Sequence, residues 1–331
     1  MKISITGVAT HFPIKKKTIG EIIGQSRKAT PWVKDCGIRE VYVENNNHSI
    51  TDIATEVTKK VLNTTELDAL NIDQLVFISE GISDYLYMDT SKSILRKIGS
   101  RMNGNIHASD LFRGSNGTLE LIKLIGNQIK VNPDIETSII VSALNWEYHS
   151  NNRILGTTIL GDGAGAVLLS KNSADNKIMG IASECMSEFC MVTGFKYGGT
   201  RNDFSDKNIH NNKFCFDILE ESHLKGVLDN IVSVSWEVVK KVLQKADMEI
   251  NDIDFIGITG FHKRVNNSIL KGIKTKAHII EYIETKGYLG SVGSIEILNC
   301  FINNEKIQKD SKLLIIANGI DANVEAMIIK K

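Results

Sequence analysis

Ser115 stands in the run Asp110-Leu111-Phe112-Arg113-Gly114-Ser115-Asn116-Gly117, ahead of apolar residues at helical spacing, Leu119, Leu121, Ile122, Leu124 and Ile125. The spacing predicts a loop that runs into a buried helix, with Ser115 at or just before the first turn. A side chain there meets the unpaired N–H groups and positive dipole end of the helix, which favour developing negative charge. With a general base in reach, a serine hydroxyl in that seat can attack a carbonyl and carry an acyl ester. Serine is also a preferred N-cap, so the position by itself leaves both roles open. The dipole contributes about 0.3–1 kcal/mol to an exposed anion, too little to ionise serine. A base decides the matter.

Other chemistries find less support. The loop Gly161-Asp162-Gly163-Ala164-Gly165 is glycine-rich but has neither the Gly-x-Gly-x-x-Gly spacing nor the Lys-Ser/Thr of a phosphate loop. Its glycines predict positive φ and close packing around Asp162, a structural role in the first half of the chain. The five cysteines (Cys36, Cys185, Cys190, Cys215, Cys300) form no Cys-x-x-Cys pair and read as reduced thiols of a cytoplasmic protein. The histidines are scattered without metal-ligand spacing, so no metal is expected. Lys plus Arg and Asp plus Glu both number 39 in 331 residues, an interspersed balance that argues against nucleic acid. No apolar run reaches the roughly 20 residues of a membrane span.

Strand signals at Lys2–Gly7, Gln74–Ser79, Ser138–Ser142, Gly165–Leu169, Asp254–Thr259, Leu313–Ala317 and Glu325–Ile329 alternate with helical patterns. The helical patterns lie at Ile50–Leu62, Asp89–Ile98, Thr118–Ile129, Gly226–Ala246 and Val292–Asn303. The alternation predicts an α/β architecture. Ile72–Ser79 resembles Ile253–Thr259, and Ala166–Lys171 resembles Ala326–Lys331, in the same order and at similar offsets. This predicts an internal duplication with halves Met1–Ser170 and Lys171–Lys331. The polar run Gly194–Asn212 reads as a long surface excursion of the kind that lines sites.

Thr30-Pro31-Trp32-Val33 followed by Cys36-Gly37-Ile38-Arg39-Glu40, and then Leu160-Gly161-Asp162-Gly163-Ala164-Gly165-Ala166-Val167, resemble segments of the β-ketoacyl-acyl-carrier-protein synthase III family. Asp110 and Ser115 match the spacing of that family's Asp and nucleophilic Cys. The resemblance runs in order along essentially the whole chain. It implies the thiolase fold, two related halves in five αβαβα layers, and a homodimer, or a heterodimer with a ketosynthase-like chain. It also implies acyl-CoA or an acyl carrier protein as acyl donor and no permanently bound cofactor.

Carried over by position, the nucleophile is Ser115 in the first half and the family His is His262 in the second, following Gly260-Phe261. His262 is expected to act as general base toward Ser115. The family Asn falls on Leu289, which removes a hydrogen-bond donor that assists decarboxylation. Such a loss typically costs about 2.7–4 kcal/mol. Trp32 takes the place of the residue lying on the CoA adenine, with Arg39 and Arg153 as phosphate contacts. Arg113, where the family has a small residue, is expected to hold a carboxylate of substrate or protein. Gly319, in the loop Asn318–Ala322, stands where the family supplies an oxyanion-hole N–H. Lys34, Lys263 and Arg264 are candidates at the mouth of a tunnel whose walls come from loops such as Gly81–Asp89 and Gly194–Asn212. The resulting reading is an acyltransferase passing an acyl group from Ser115 to a small acceptor or carrier in biosynthesis. A catalytically degenerate subunit that scaffolds an active ketosynthase is the alternative, and decarboxylative condensation the third.

Overall fold

The computed structural model describes residues 3–24, 26, 30–44, 48–100, 106–113, 116–150, 152–171, 173–204 and 214–331. Ten strands form the central sheet: β1 (Ile3–His11), β2 (Gln74–Ser79), β3 (His107–Phe112), β4 (Thr137–Leu144), β5 (Gly163–Lys171), β6 (Lys177–Cys185), β7 (Phe255–Thr259), β8 (His278–Ile280), β9 (Lys312–Asn318) and β10 (Asn323–Lys330). Their order across the sheet is β8-β7-β9-β10-β6-β1-β5-β4-β2-β3. Each half repeats one scheme with an offset of five strands. In β1-β5-β4-β2-β3 the first two neighbouring pairs are antiparallel and the last two parallel, and β6-β10-β9-β7-β8 does the same. The segments that resemble each other in sequence, around β2 and β7 and around β5 and β10, occupy equivalent places. The two halves meet where β1 pairs with β6 at Ser4 and Lys177.

Six helices of nine residues or more lie among the described residues: α1 (Ile50–Thr65), α2 (Thr90–Ile98), α3 (Gly117–Val131), α4 (Glu221–Ala246), α5 (Lys263–Ile273) and α6 (Gly290–Ile302). α1 and α2 cover the outer face of the first half, and α4 and α5 that of the second. Between them α3 and α6 touch each other and strands of both halves, making five layers in the order αβαβα. The inner strands β2 and β4 are buried on both faces, so β4 reads as a nearly continuous apolar run. α1 starts where sequence chemistry dictates: Ser49 and Asp52 form a reciprocal capping box.

The Gly-Asp-Gly loop explains its own glycines by contact. None of Gly161, Gly163 or Gly165 has a positive φ, which corrects the expectation from composition. A Cβ on Gly161 would lie 2.0 Å from the Lys286 carbonyl oxygen, and one on Gly165 would lie 2.8 Å from Ile295 of α6. Close approach is therefore what excludes a side chain here. Asp162, fully buried, accepts the backbone N–H groups of Glu44 and Trp146 at 2.8 and 2.9 Å. It also takes both Arg153 guanidinium nitrogens at 2.7 Å. Removing one partner of a buried pair costs about 3–5 kcal/mol, because the other charge is stranded. Asp162→Ala is expected to lose stability of that order in urea denaturation, and a loss below about 1 kcal/mol would refute the pairing's structural role.

Candidate active site

The segment expected to carry the nucleophile begins as a strand, where the sequence suggests a loop. β3 runs through Phe112, held by parallel pairing to β2 with Ser79 opposite Phe112. The signal was missed because β3 is an edge strand whose side chains are largely exposed and follow no clean alternation. Asp110 turns its carboxylate to the start of α2, accepting Thr90 N–H at 2.6 Å and Ser91 N–H at 2.8 Å. Gly114 and Ser115 lie outside the described residues. Asn116 follows as N-cap of α3, 1% exposed, with neither amide atom of its side chain hydrogen-bonded among the described residues.

His262 is fully buried at the N-cap of α5. Its Nδ1 accepts the Arg264 N–H at 3.2 Å, so the hydrogen-bond pattern assigns the neutral ring's proton to Nε2. Among the described residues Nε2 makes no hydrogen bond of good geometry, although the Trp32 backbone lies near enough to favour the protonated ring. Burial pushes the imidazole below its ordinary pKa, partly opposed by the Trp32 backbone, so the ring stays neutral at physiological pH. In this tautomer Nε2–H is a donor suited to a developing oxyanion, and accepting a proton from Ser115 would require giving up the Arg264 bond. Beside it Asn318 donates to the Thr259 carbonyl at 2.7 Å and reaches Asn266 at 3.4 Å.

The other expected residues divide. Trp32, half exposed, sets its ring edge-on to His262 with centroids 5.7 Å apart. Arg39 is exposed and pairs with Glu284 at 2.8 Å. Arg153 departs from its expected part as a phosphate contact, because its guanidinium is 96% buried against Asp162 and Glu147. Arg113 holds a protein carboxylate, Glu120, at 2.6 Å, and reaches Asn323 at 3.4 Å. Gly319 donates its N–H to the Asn323 carbonyl at 2.8 Å, so that donor is already engaged and not available to an oxyanion. Lys263 pairs with Glu284, and Arg264 with Asp35.

Leu289, fully buried, is the N-cap of α6 and offers no side-chain cap. The capping is done from elsewhere: Glu80, at the end of β2, accepts the Ser291 N–H. Sequence reasoning passed over Glu80, for which the only signal was an acid directly after an apolar strand. Burial first, and the nearby Asp321 carboxylate second, push Glu80 up to about 8. Glu325 on β10 is likewise pushed up to about 8, by burial and then by Glu120.

Two cavities adjoin this region. One of about 590 Å³ is predominantly apolar and is lined by residues of both expected loops, including Tyr85, Leu86, Met88, Phe195 and Tyr197, together with Phe112. Residues 205–212 of the second loop lie outside the described residues. A second cavity of about 200 Å³ shares Phe112 and Gly194 with the first and contains Glu80, Asp321 and Cys190. Among the described residues no cluster of three or more metal-ligating side chains occurs, and no helix is long and apolar enough to cross a membrane.

No family model matches the chain. A β-ketoacyl-[acyl-carrier-protein] synthase III of Ehrlichia canis is 24% identical over 280 residues, covering 82% of this chain and 80% of that protein. The crystal structure of 3-oxoacyl-[acyl-carrier-protein] synthase III from Aquifex aeolicus superposes with a TM-score of 0.82 at 16% identity, over 99% of this chain and 100% of that one. ChlB3, described as an acyltransferase, superposes with the same TM-score and identity over 100% of this chain and 98% of its own. The chain thus has the thiolase fold.

Glu325 yields a pH-dependent test. Its carboxyl ionises near 8 in the fold against an ordinary 4.5. The folded state therefore keeps a proton that the unfolded chain has lost, and stability falls as pH rises through that window, by about 1.4 kcal/mol per pH unit at most. Glu325→Gln is expected to match the parent protein in thermal denaturation near pH 4.5 and to exceed it increasingly toward pH 8.

Proposed function

We propose that this protein is a ketosynthase III-like acyltransferase that accepts an acyl group from acyl-CoA or an acyl carrier protein on Ser115 and passes it to a small acceptor or carrier. The single observation that carries the reading is the apolar cavity of about 590 Å³ at the end of β3, the strand that delivers the chain to Ser115. It is concave, mostly apolar and large enough for an acyl chain. The synthase names of the relatives and the acyltransferase ChlB3 agree with acyl chemistry on this fold. No resident cofactor is needed, because the activated acyl donor brings its own leaving group.

The nucleophile sits in the first half, Met1–Ser170, and His262 in the second, Lys171–Lys331. In this reading His262 Nε2–H stabilises the negative charge that develops on the acyl carbonyl oxygen, while its acceptor nitrogen, Nδ1, is taken up by the Arg264 N–H. Exposed Trp32 and Arg39 remain as groups for a CoA nucleotide. A serine ester transfers to amines, alcohols or thiols without decarboxylation, which agrees with a leucine at position 289. The outer edge of β3, which has no strand partner among the described residues, and the exposed Tyr85, Tyr87 and Phe112 beside it suit a homodimer formed in the cytoplasm.

One set of observations favours a second reading, a degenerate subunit scaffolding an active ketosynthase. Arg153 is buried in an ion pair, the Gly319 N–H is engaged, and Trp32 packs edge-on against His262. Decarboxylative condensation ranks third, since Leu289 has no hydrogen-bond donor to offer.

Intact-mass spectrometry after incubation with acyl-CoA is expected to show one acyl adduct, absent in Ser115→Ala. His262→Ala is expected to slow acylation by about 10²–10³-fold, the usual cost of losing an oxyanion donor. No adduct from CoA or carrier-protein donors, together with stable association with an active ketosynthase chain, would support the scaffold instead.

A further inference from the structure

Glu80 is a buried carboxyl that the proposed acyl transfer has not yet used. It is 2% exposed, follows β2 directly, and stands on the wall of the cavity of about 200 Å³ that shares Phe112 and Gly194 with the larger apolar one. One of its oxygens accepts the Ser291 N–H at the start of α6. The fit is close: a Cβ on Gly290 would lie 1.7 Å from Glu80 Oε1, and Gly290 itself has a φ of +44°. The titratable groups facing Glu80 are Asp321 from the loop between β9 and β10, the Tyr282 hydroxyl ahead of the short helix Ile283–Lys286, and the Cys190 thiol across the cavity. None of these is cationic. An acid buried at such cost, without a cation and open to a cavity, is placed for proton transfer better than for a structural ion pair.

The His262 tautomer makes this placement matter. With Nδ1 occupied by the Arg264 N–H, His262 donates but does not accept, and acyl transfer to a protic acceptor still requires a base. We propose that Glu80 is that base, taking the proton of an acceptor bound in the cavity it shares with Asp321. This rests on the acyltransferase reading above. The acceptor's X–H proton passes to the Glu80 carboxylate as X bonds to the acyl carbonyl carbon. The bond from that carbon to the serine oxygen then breaks, and the proton passes from Glu80 to the departing serine alkoxide. The products are acyl–X and free serine, with Glu80 restored to its starting state. No oxidant or external proton source is required. The acceptor class that fits is a small alcohol, amine or thiol able to enter a space of about 200 Å³.

The rate should follow the ionised fraction of Glu80, rising with pH up to about 8 and levelling above it. The test loads full-length protein from octanoyl-CoA, adds glycerol as a hydroxyl acceptor that does not itself titrate in this range, and follows loss of the adduct by intact-mass spectrometry from pH 6 to 9. In Glu80→Gln, which preserves shape and can still accept the Ser291 N–H, adduct formation is expected to slow as well, because the group that returns a proton to the serine oxygen also takes it in acylation, so transfer is timed from the adduct that has formed. Transfer to glycerol is expected to fall at least 100-fold, with the limb near pH 8 gone. Glu80→Asp keeps a carboxyl but withdraws it, and is expected to transfer at an intermediate rate with a pH limb retained. It also serves if the Gln variant does not fold, as judged by circular dichroism. Normal adduct formation with parental transfer rate and pH profile in a folded Glu80→Gln, or in Glu80→Asp where that is the folded variant, would overturn the role of Glu80 alone. Absence of any adduct on the parent protein would overturn the acyltransferase reading and this role with it.

Discussion

The candidate site depends on how the N-termini of α3 and α6 are pinned together at Ser291. The Thr118 hydroxyl of α3 donates to the Ser291 carbonyl at 2.6 Å, the Ser142 hydroxyl of β4 meets the Ser291 hydroxyl at 2.7 Å, and Glu80 receives the Ser291 N–H. One residue thereby ties together both central helices, β4 and the end of β2. All of these groups are buried, so each unmade bond would cost a desolvated polar group its partner. The helix that follows Ser115 and the helix that follows Leu289 consequently enter the core in a set relation. That fixed relation lets a site assembled from both halves hold its geometry.

The second constraint is electrostatic. Glu80 and Glu325 are buried without a neutralising cation in direct contact, with Arg113 no nearer to Glu325 than 4.0 Å. Arg113 is instead committed to Glu120, and Arg153 to Asp162. The cationic groups that sequence position offered to a ligand are thus partly used to hold the frame, while acidic groups face the cavities. A hydrogen-bond donor at His262 together with a buried carboxyl at Glu80 differs in its chemistry from a pair of donors. Leu289 and the carboxylate cap on α6 belong together: Leu cannot cap the helix, and Glu80 does.

Much of the fold was legible because burial writes itself into hydropathy. β2, β4, β5, β7, β9 and β10 are covered on both faces, so their runs of Ile, Val, Leu and Ala stood out. β3, β6 and β8 were missed for the opposite reason. β3 and β8 are edge strands, and β6 is half-buried along most of its length. Their existence is set by backbone pairing to a neighbour, which no local pattern records. α5 was missed as well, although Val265, Ile269, Leu270 and Ile273 stand at helical spacing and pack against the core, because polar residues separate them.

The chain's own residues determined that Ser115 precedes a buried helix, that Gly161, Gly163 and Gly165 pack closely, and that segments of the two parts of the chain resemble each other. These follow from periodicity, from residue size and from repeated segments. Tertiary structure alone decided which partner each polar group has. Arg153 could not be known to be buried, nor the Gly319 N–H to be spent, nor the His262 proton to lie on Nε2, because each depends on a contact made elsewhere in the chain or on a backbone turn. Glu80 shows the reason most plainly. Its Ser291 partner is 211 residues away in sequence, and a carboxyl's acidity is set by the dielectric and charges that the fold brings around it.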